Sequence, residues 1–175
     1  MSIVGSSSVF YIDTSVLISM LDRECRFAKE EMVRAAKKLL YDVKRHRHQL
    51  KVSVIALGEL LNVALREEHG FTLLEELREL KQRLGESLVL CHSPRLRGDY
   101  SDLYSVVNKI VEIDDYLRDS AADVHILAVA ILDREADAFY TTDKNILMSK
   151  KLKDAINEMR RERCFNKGLK IKPLQ

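Results

Sequence analysis

Four acidic residues, Asp13, Glu59, Asp123 and Asp143, each stand beside an apolar run. Asp13 follows the β-rich stretch at 9–12, and Asp143 follows the one at 138–142. Glu59 lies four residues past the apolar run at 51–55, and Asp123 opens the apolar run at 124–132. If those runs are neighbouring elements, the four carboxylates converge at one edge. Converging carboxylates repel, and only protonation or a cation relieves the repulsion. A ligand set of oxygens, without Cys or His, suits Mg²⁺ or Mn²⁺ rather than zinc. Such an ion is fitted to phosphodiester hydrolysis, because it activates water and offsets charge on the attacking and leaving oxygens. Taken singly, each acid also has a plainer role. Asp13 and Asp123 could cap helices, Asp143 could be a turn residue, and Glu59 could be a carboxylate favoured by a helix N-terminus. The case for chemistry rests on all four in these contexts and this order.

The elements that must position them can be read from periodicity. Short apolar runs at 9–12, 51–55, 87–91 and 138–142 predict buried parallel strands, with a short fifth at 169–172. Helical spacing predicts helices over 16–21, 27–48, 56–68, 72–84, 100–117, 120–135 and 146–163. Thr72 and Glu75 have capping-box spacing, and Gly70 is a stop signal for the helix before it. Alternating strands and helices predict an α/β protein with a parallel sheet covered on both faces. Ligands in such sheets bind beyond the carboxyl ends of the strands, where Asp13 and Asp143 fall. The loop at 92–99 holds Pro94 and Gly98. Further acids, Asp99, Asp102, Asp114, Asp115 and Asp119, precede Asp123; a solvated helix face explains them better than membership of the pocket.

A length of 175 residues fits a single domain spanning 1–175, and 46% hydrophobic residues suffice for a sizeable core. No apolar run approaches the ~20 residues that span a bilayer. The N-terminus lacks signal-peptide character, so a cytoplasmic protein without a membrane partner is expected. Cys25, Cys91 and Cys164 are far apart and form no CxxC, so reduced, buried thiols are expected rather than disulfides or a zinc site. The net charge of +2 is unevenly spread. From Lys144 onward ten Lys/Arg face three Asp/Glu, and from Arg26 to His48 eight face three. That segregation suits a phosphate-bearing partner brought to an acidic centre; two solvated basic helix faces would explain it equally well.

The phrase Tyr11-Ile12-Asp13-Thr14-Ser15-Val16-Leu17-Ile18 resembles the opening of PIN domains, ribonucleases of the VapC type among them. Residues 54–60 (VIALGEL), 123–130 (DVHILAVA) and 138–145 (AFYTTDKN) resemble the family's second, third and fourth motifs. The 20-residue step from Asp123 to Asp143 also fits, and residues 168–173 resemble its closing strand. The resemblance covers residues 9–173 and implies a three-layer α/β/α fold around a parallel sheet of four to five strands. It further implies that Asp13, Glu59, Asp123 and Asp143 are metal-binding or catalytic. Ser15 and Thr142 would be auxiliary polar groups, with helix capping as their alternative role. The implied function is a Mg²⁺- or Mn²⁺-dependent nuclease, an endoribonuclease binding RNA. A homodimer and an antitoxin partner are implied as well, although the chain is longer than compact PIN toxins. The alternative is an inactive PIN-like scaffold that binds RNA or a protein. A phosphatase-like or response-regulator-like protein would want a phosphoacceptor Asp with a lysine ending the last strand, and no convincing one stands there.

Overall fold

A computed structural model describes residues 7–92, 101–113 and 115–175. The Pro94–Gly98 loop, Asp99 and Asp114 lie outside them. Five strands, β1 (Val9–Ile12), β2 (Gln49–Ser53), β3 (Leu88–His92), β4 (Ala136–Thr141) and β5 (Lys170–Pro173), form one sheet in the order β3-β2-β1-β4-β5. Every neighbouring pair is parallel. The chain winds outward from β1 to β2 and β3, then returns to place β4 on the other side of β1. Right-handed crossovers therefore put the helices before β3 on one face and those after it on the other. The helices α1 (Thr14–Leu21), α2 (Glu30–His46), α3 (Val54–Arg66) and α4 (Phe71–Leu84) pack as one group. A second group comprises α5 (Ser101–Ile113), α6 (Ala121–Leu132) and α8 (Lys150–Glu162), with the short α7 (Lys144–Met148) against β5. This is the expected three-layer α/β/α architecture. The reversal of winding lies between β1 and β4, and a sheet of this kind opens its ligand crevice at such a switch point.

Apolar side chains of both layers close on Tyr11, Ile12, Leu50, Val52 and Phe139, which are fully buried on the strands. One buried polar cluster interrupts them. Lys51 stands opposite Tyr11 in register, and its Nζ donates to Asp133 at 2.7 Å. The Tyr11 hydroxyl donates to the same carboxylate oxygen at 2.6 Å. Nearby, the buried Arg160 of α8 donates to the carbonyls of Ala130, Ile131, Asp133 and Ala136. It thereby satisfies carbonyls that the end of α6 leaves without helical partners.

Several boundaries differ from the sequence expectation, each for a local reason. The second strand ends at Ser53, not Ile55, because the Ser53 hydroxyl accepts the Ala56 amide and starts α3. Glu59 consequently sits in the second turn of α3. The Thr72–Glu75 capping box does not form; Thr72 Oγ1 donates to the His69 carbonyl instead, and Gly70 precedes α4. The long basic helix over 146–163 is two helices, since Ser149 ends α7 and its hydroxyl caps α8. The span expected as one helix to residue 117 ends at Ile113, and a 3-10 turn over Asp115–Ser120 follows. Cys25 and Cys164 are free but exposed, each at a positive-φ turn, so the expectation of buried thiols is corrected for both.

Gly70 does not end α3, which stops at Arg66, but packs against it. A Cβ there would meet the Ala64 carbonyl oxygen at 2.7 Å, whereas one at Gly58 would meet nothing within 4 Å. Gly70→Ala should therefore lower the stability by about 1–3 kcal/mol. Gly58→Ala should raise it by about 0.5–1 kcal/mol, as Gly→Ala does in a helix interior. Urea midpoints of the two variants check both signs.

Candidate active site

The backbone fixes Asp13 first. Its amide donates to the Tyr140 carbonyl at 3.1 Å, which ties the end of β1 to β4. Its side chain caps α1, with Oδ1 accepting the Val16 amide at 2.7 Å and the Ser15 hydroxyl at 2.8 Å. Oδ2 accepts the Thr142 amide at 3.2 Å. The helix-cap role is thus realised, and it is the means by which a buried carboxylate is held in one orientation at the switch point. Burial pushes the Asp13 carboxyl above its ordinary range, against hydrogen bonds from Thr141, Val16, Ser15 and Thr142. Ser15 and Thr142 also meet each other, Oγ to Oγ1, at 2.6 Å.

Asp143 caps α7 in the same manner, accepting the Asn145 amide at 2.7 Å and the Ile146 amide at 3.3 Å through Oδ1. Its Oδ2 accepts the Ser120 hydroxyl at 3.1 Å, and its amide donates to Thr141 Oγ1 at 3.0 Å. Glu59 projects from α3 and accepts the Thr14 hydroxyl. Asp123 lies in the first turn of α6, which Ser120 rather than Asp123 precedes as the capping residue. Among the described residues, none forms a hydrogen bond or ion pair with the Asp123 carboxyl.

Asp123 registers the other three. Its carboxyl is pushed up to about 7, first by burial and then by the negative charges of Asp13, Asp143 and Glu59. Four acids from β1, α3, α6 and the end of β4 thus share one electrostatic environment. Asp102, Asp115 and Asp119 take no part in that shift, and Asp115 instead pairs with Arg118 at 3.4 Å. Among the described residues, no three His, Cys, Asp or Glu groups stand ready-placed to hold a metal ion. Two of the four are anchored through amides and a third through a hydroxyl, and the like charges repel across the centre. An all-oxygen set with one unanchored carboxylate fits a hard divalent cation, which would offset that repulsion.

Sequence reasoning missed three residues of this arrangement. Thr14 holds Glu59, Ser120 holds Asp143, and Thr141 bonds to both strand-end acids. A signal for two of them was present, because hydroxyls flank both acids in Asp13-Thr14-Ser15 and Thr141-Thr142-Asp143.

The raised Asp123 gives a direct test of convergence. An acid whose folded value is raised takes up a proton on folding, so stability falls as pH rises from its unfolded value of 3.8 toward about 7. In EDTA, Asp123→Asn should flatten that fall and raise the Tm at pH 8 by roughly 2–4 °C, corresponding to about 1 kcal/mol. An unchanged or lower Tm would mean that the other acids do not press on this position.

A parallel α/β/α sandwich with acids gathered at its switch point defines a doubly wound α/β protein with an acidic crevice. Residues 10–172 match the PIN domain family model, and the chain belongs to the PIN-domain family. No match was found among curated protein sequences. A solved structure with a similar fold is the VapBC2 complex from Rickettsia felis bound to a DNA fragment from their promoter. One of its chains aligns at 12% identity with a TM-score of 0.52, covering 95% of this chain and 99% of that one. At that identity the likeness speaks for the fold alone.

Proposed function

We propose that this chain is a Mg²⁺- or Mn²⁺-dependent endoribonuclease whose centre is formed by Asp13, Asp123, Asp143 and Glu59. PIN domains are generally metal-dependent nucleases, and membership of the family supports the class. The observation that carries the reading is the gathering of Asp13, Asp143 and Glu59 around the buried Asp123, where burial first and then their charges raise its carboxyl. Asp13 and Asp143, fixed by backbone amides, would supply pre-oriented oxygens, and Asp123 would complete the set on losing its proton. Glu59, held by Thr14, would orient water or the ion from α3. When bound, the ion would lower the pKa of water and offset charge on the phosphoryl oxygens. Ser15 and Thr142 would hold Asp13 in place rather than touch the substrate.

Purified protein should cut single-stranded RNA in Mn²⁺ and leave it intact in EDTA, with a single-stranded DNA of the same sequence as the comparison. No cutting of either strand would refute the reading. The scaffold alternative is separated by stability, because a competent centre gains from the ion by mass action. A Tm unmoved by millimolar Mn²⁺ would favour the scaffold.

A protein partner has its own support. Val54, Leu61 and Leu65 are exposed on one side of α3, and Phe71 is exposed at the start of α4. An apolar surface of this kind fits an antitoxin-like segment or a second copy of the chain. The neighbouring VapBC2 structure is a complex, which makes the antitoxin the first partner to test.

A further inference from the structure

We propose that a band of rings and cations, running from the end of α2 across the sheet to β5, guides single-stranded nucleic acid to the acidic edge. This rests on the nuclease reading, whose four carboxylates lie outside the band. It begins on α2, where the exposed Tyr41 ring lies 6.0 Å from the Arg45 guanidinium. The exposed His46 stacks on His48 with centroids 5.5 Å apart. His48 meets Phe10 edge to face at 4.9 Å, and Phe10 meets Tyr140 at 5.5 Å. Lys172, opposite Tyr140 in register, holds its ammonium 5.5 Å from that ring and 5.9 Å from Phe10. The band ends beside the site: the Tyr140 carbonyl accepts the Asp13 amide, and Asp143 is three residues further on.

Its chemistry selects the occupant. Arg45, Arg47 and Lys170 are exposed along it, with Lys172 half-buried between the rings. Of the acids that face His48, Asp137 is already engaged by Lys167 at 2.7 Å and by the Val9 amide. Among the described residues around His48, that leaves Asp42. Cations in this ratio suit phosphates, and rings interleaved with them can take unpaired bases on their faces. A duplex keeps its bases stacked inside and gains only the charge contacts. Phe10, 8% exposed, forms the floor; Tyr41, His46 and the open part of Tyr140 offer the faces.

Fluorescence anisotropy of a short labelled RNA strand, in EDTA so that nothing is cut, tests the band. Arg45→Glu with Lys172→Glu should raise Kd at least ~10-fold and flatten the salt slope by roughly 0.7 for each phosphate no longer neutralised. Tyr41→Ala with His46→Ala should raise Kd for the single strand about 5-fold and leave a duplex unaffected. Arg45→Glu alone, on an exposed helix face, should retain part of the loss if Lys172→Glu disturbs β5. Arg78→Glu, exposed on α4, should bind as wild type does. The proposal is overturned if the charge-reversed variants bind unimpaired, or if Arg78→Glu loses as much. Ring variants that weaken duplex and single strand alike would also overturn it. Wild type that binds along the band yet cuts nothing in Mn²⁺ refutes the nuclease reading and leaves the band standing. Wild type that cuts, with Arg45→Glu/Lys172→Glu binding normally, refutes the band alone.

Discussion

Asp13→Asn should cut single-stranded RNA in Mn²⁺ at least ~100-fold more slowly than wild type. Residues that merely orient metal ligands cost roughly 10–100-fold when replaced, so a direct ligand belongs at or beyond the upper end. Asparagine keeps the shape of the side chain, and its remaining oxygen can still accept the Val16 amide that starts α1. It loses the charge, and it turns an amino group toward the Thr142 amide that Oδ2 accepts in the wild type. Two donors then face each other, which costs about 1–3 kcal/mol of stability. The variant should therefore fold, melt somewhat lower and fail to cut. A folded Asp13→Asn that cuts at the wild-type rate would reduce Asp13 to a helix cap. Thr14→Val should act more mildly, since it only frees Glu59.

Lys51→Met should lower the stability by about 3–5 kcal/mol, because it removes the ammonium paired at 2.7 Å with a buried carboxylate. The Lys51 and Asp133 side chains are 4% and 7% exposed, so little water can replace the missing partner. Burial by itself would raise the Asp133 carboxyl. Hydrogen bonds from Lys51, Tyr11 and the Glu135 amide overcome it and hold the group below its ordinary range. With the lysine gone, the Tyr11 hydroxyl still donates to that oxygen at 2.6 Å but brings no charge. The double variant Lys51→Met/Asp133→Leu should recover part of the loss, since both charges are then removed together. Denaturant midpoints of the single and double variants measure the coupling. Equal stability of Lys51→Met and wild type would show that the cluster contributes nothing.

Much of this was legible in the sequence, and the reasons differ from residue to residue. β1 was readable because a fully buried parallel strand is a short unbroken apolar run, and Val9–Ile12 is one. Asp13 and Asp143 were readable because each joins a strand end to a helix start, where an acid has few alternatives. The end of β2 was not, because Val54 and Ile55 continue the β-branched run while the Ser53 cap turns the chain. The division of the basic helix was hidden for the same reason, since Ser149 looks like any polar residue on a solvated face. Arg160 could not be found at all. Its basic neighbours suggest an exposed residue, and only the approach of α8 to the end of α6 gives it carbonyls to bind. The hydroxyls that hold the acids were visible as letters, but their pairing, Thr14 with Glu59 and Ser120 with Asp143, depends on how α1, α3 and α6 meet.

Anomalous scattering from a crystal soaked in Mn²⁺ reports whether the four carboxylates form one metal centre. One or two Mn²⁺ peaks are expected among Asp13, Asp123, Asp143 and Glu59, absent in Asp13→Asn. Saturating Mn²⁺ with no peak at these four residues, or with peaks only at other acids, would contradict a shared centre.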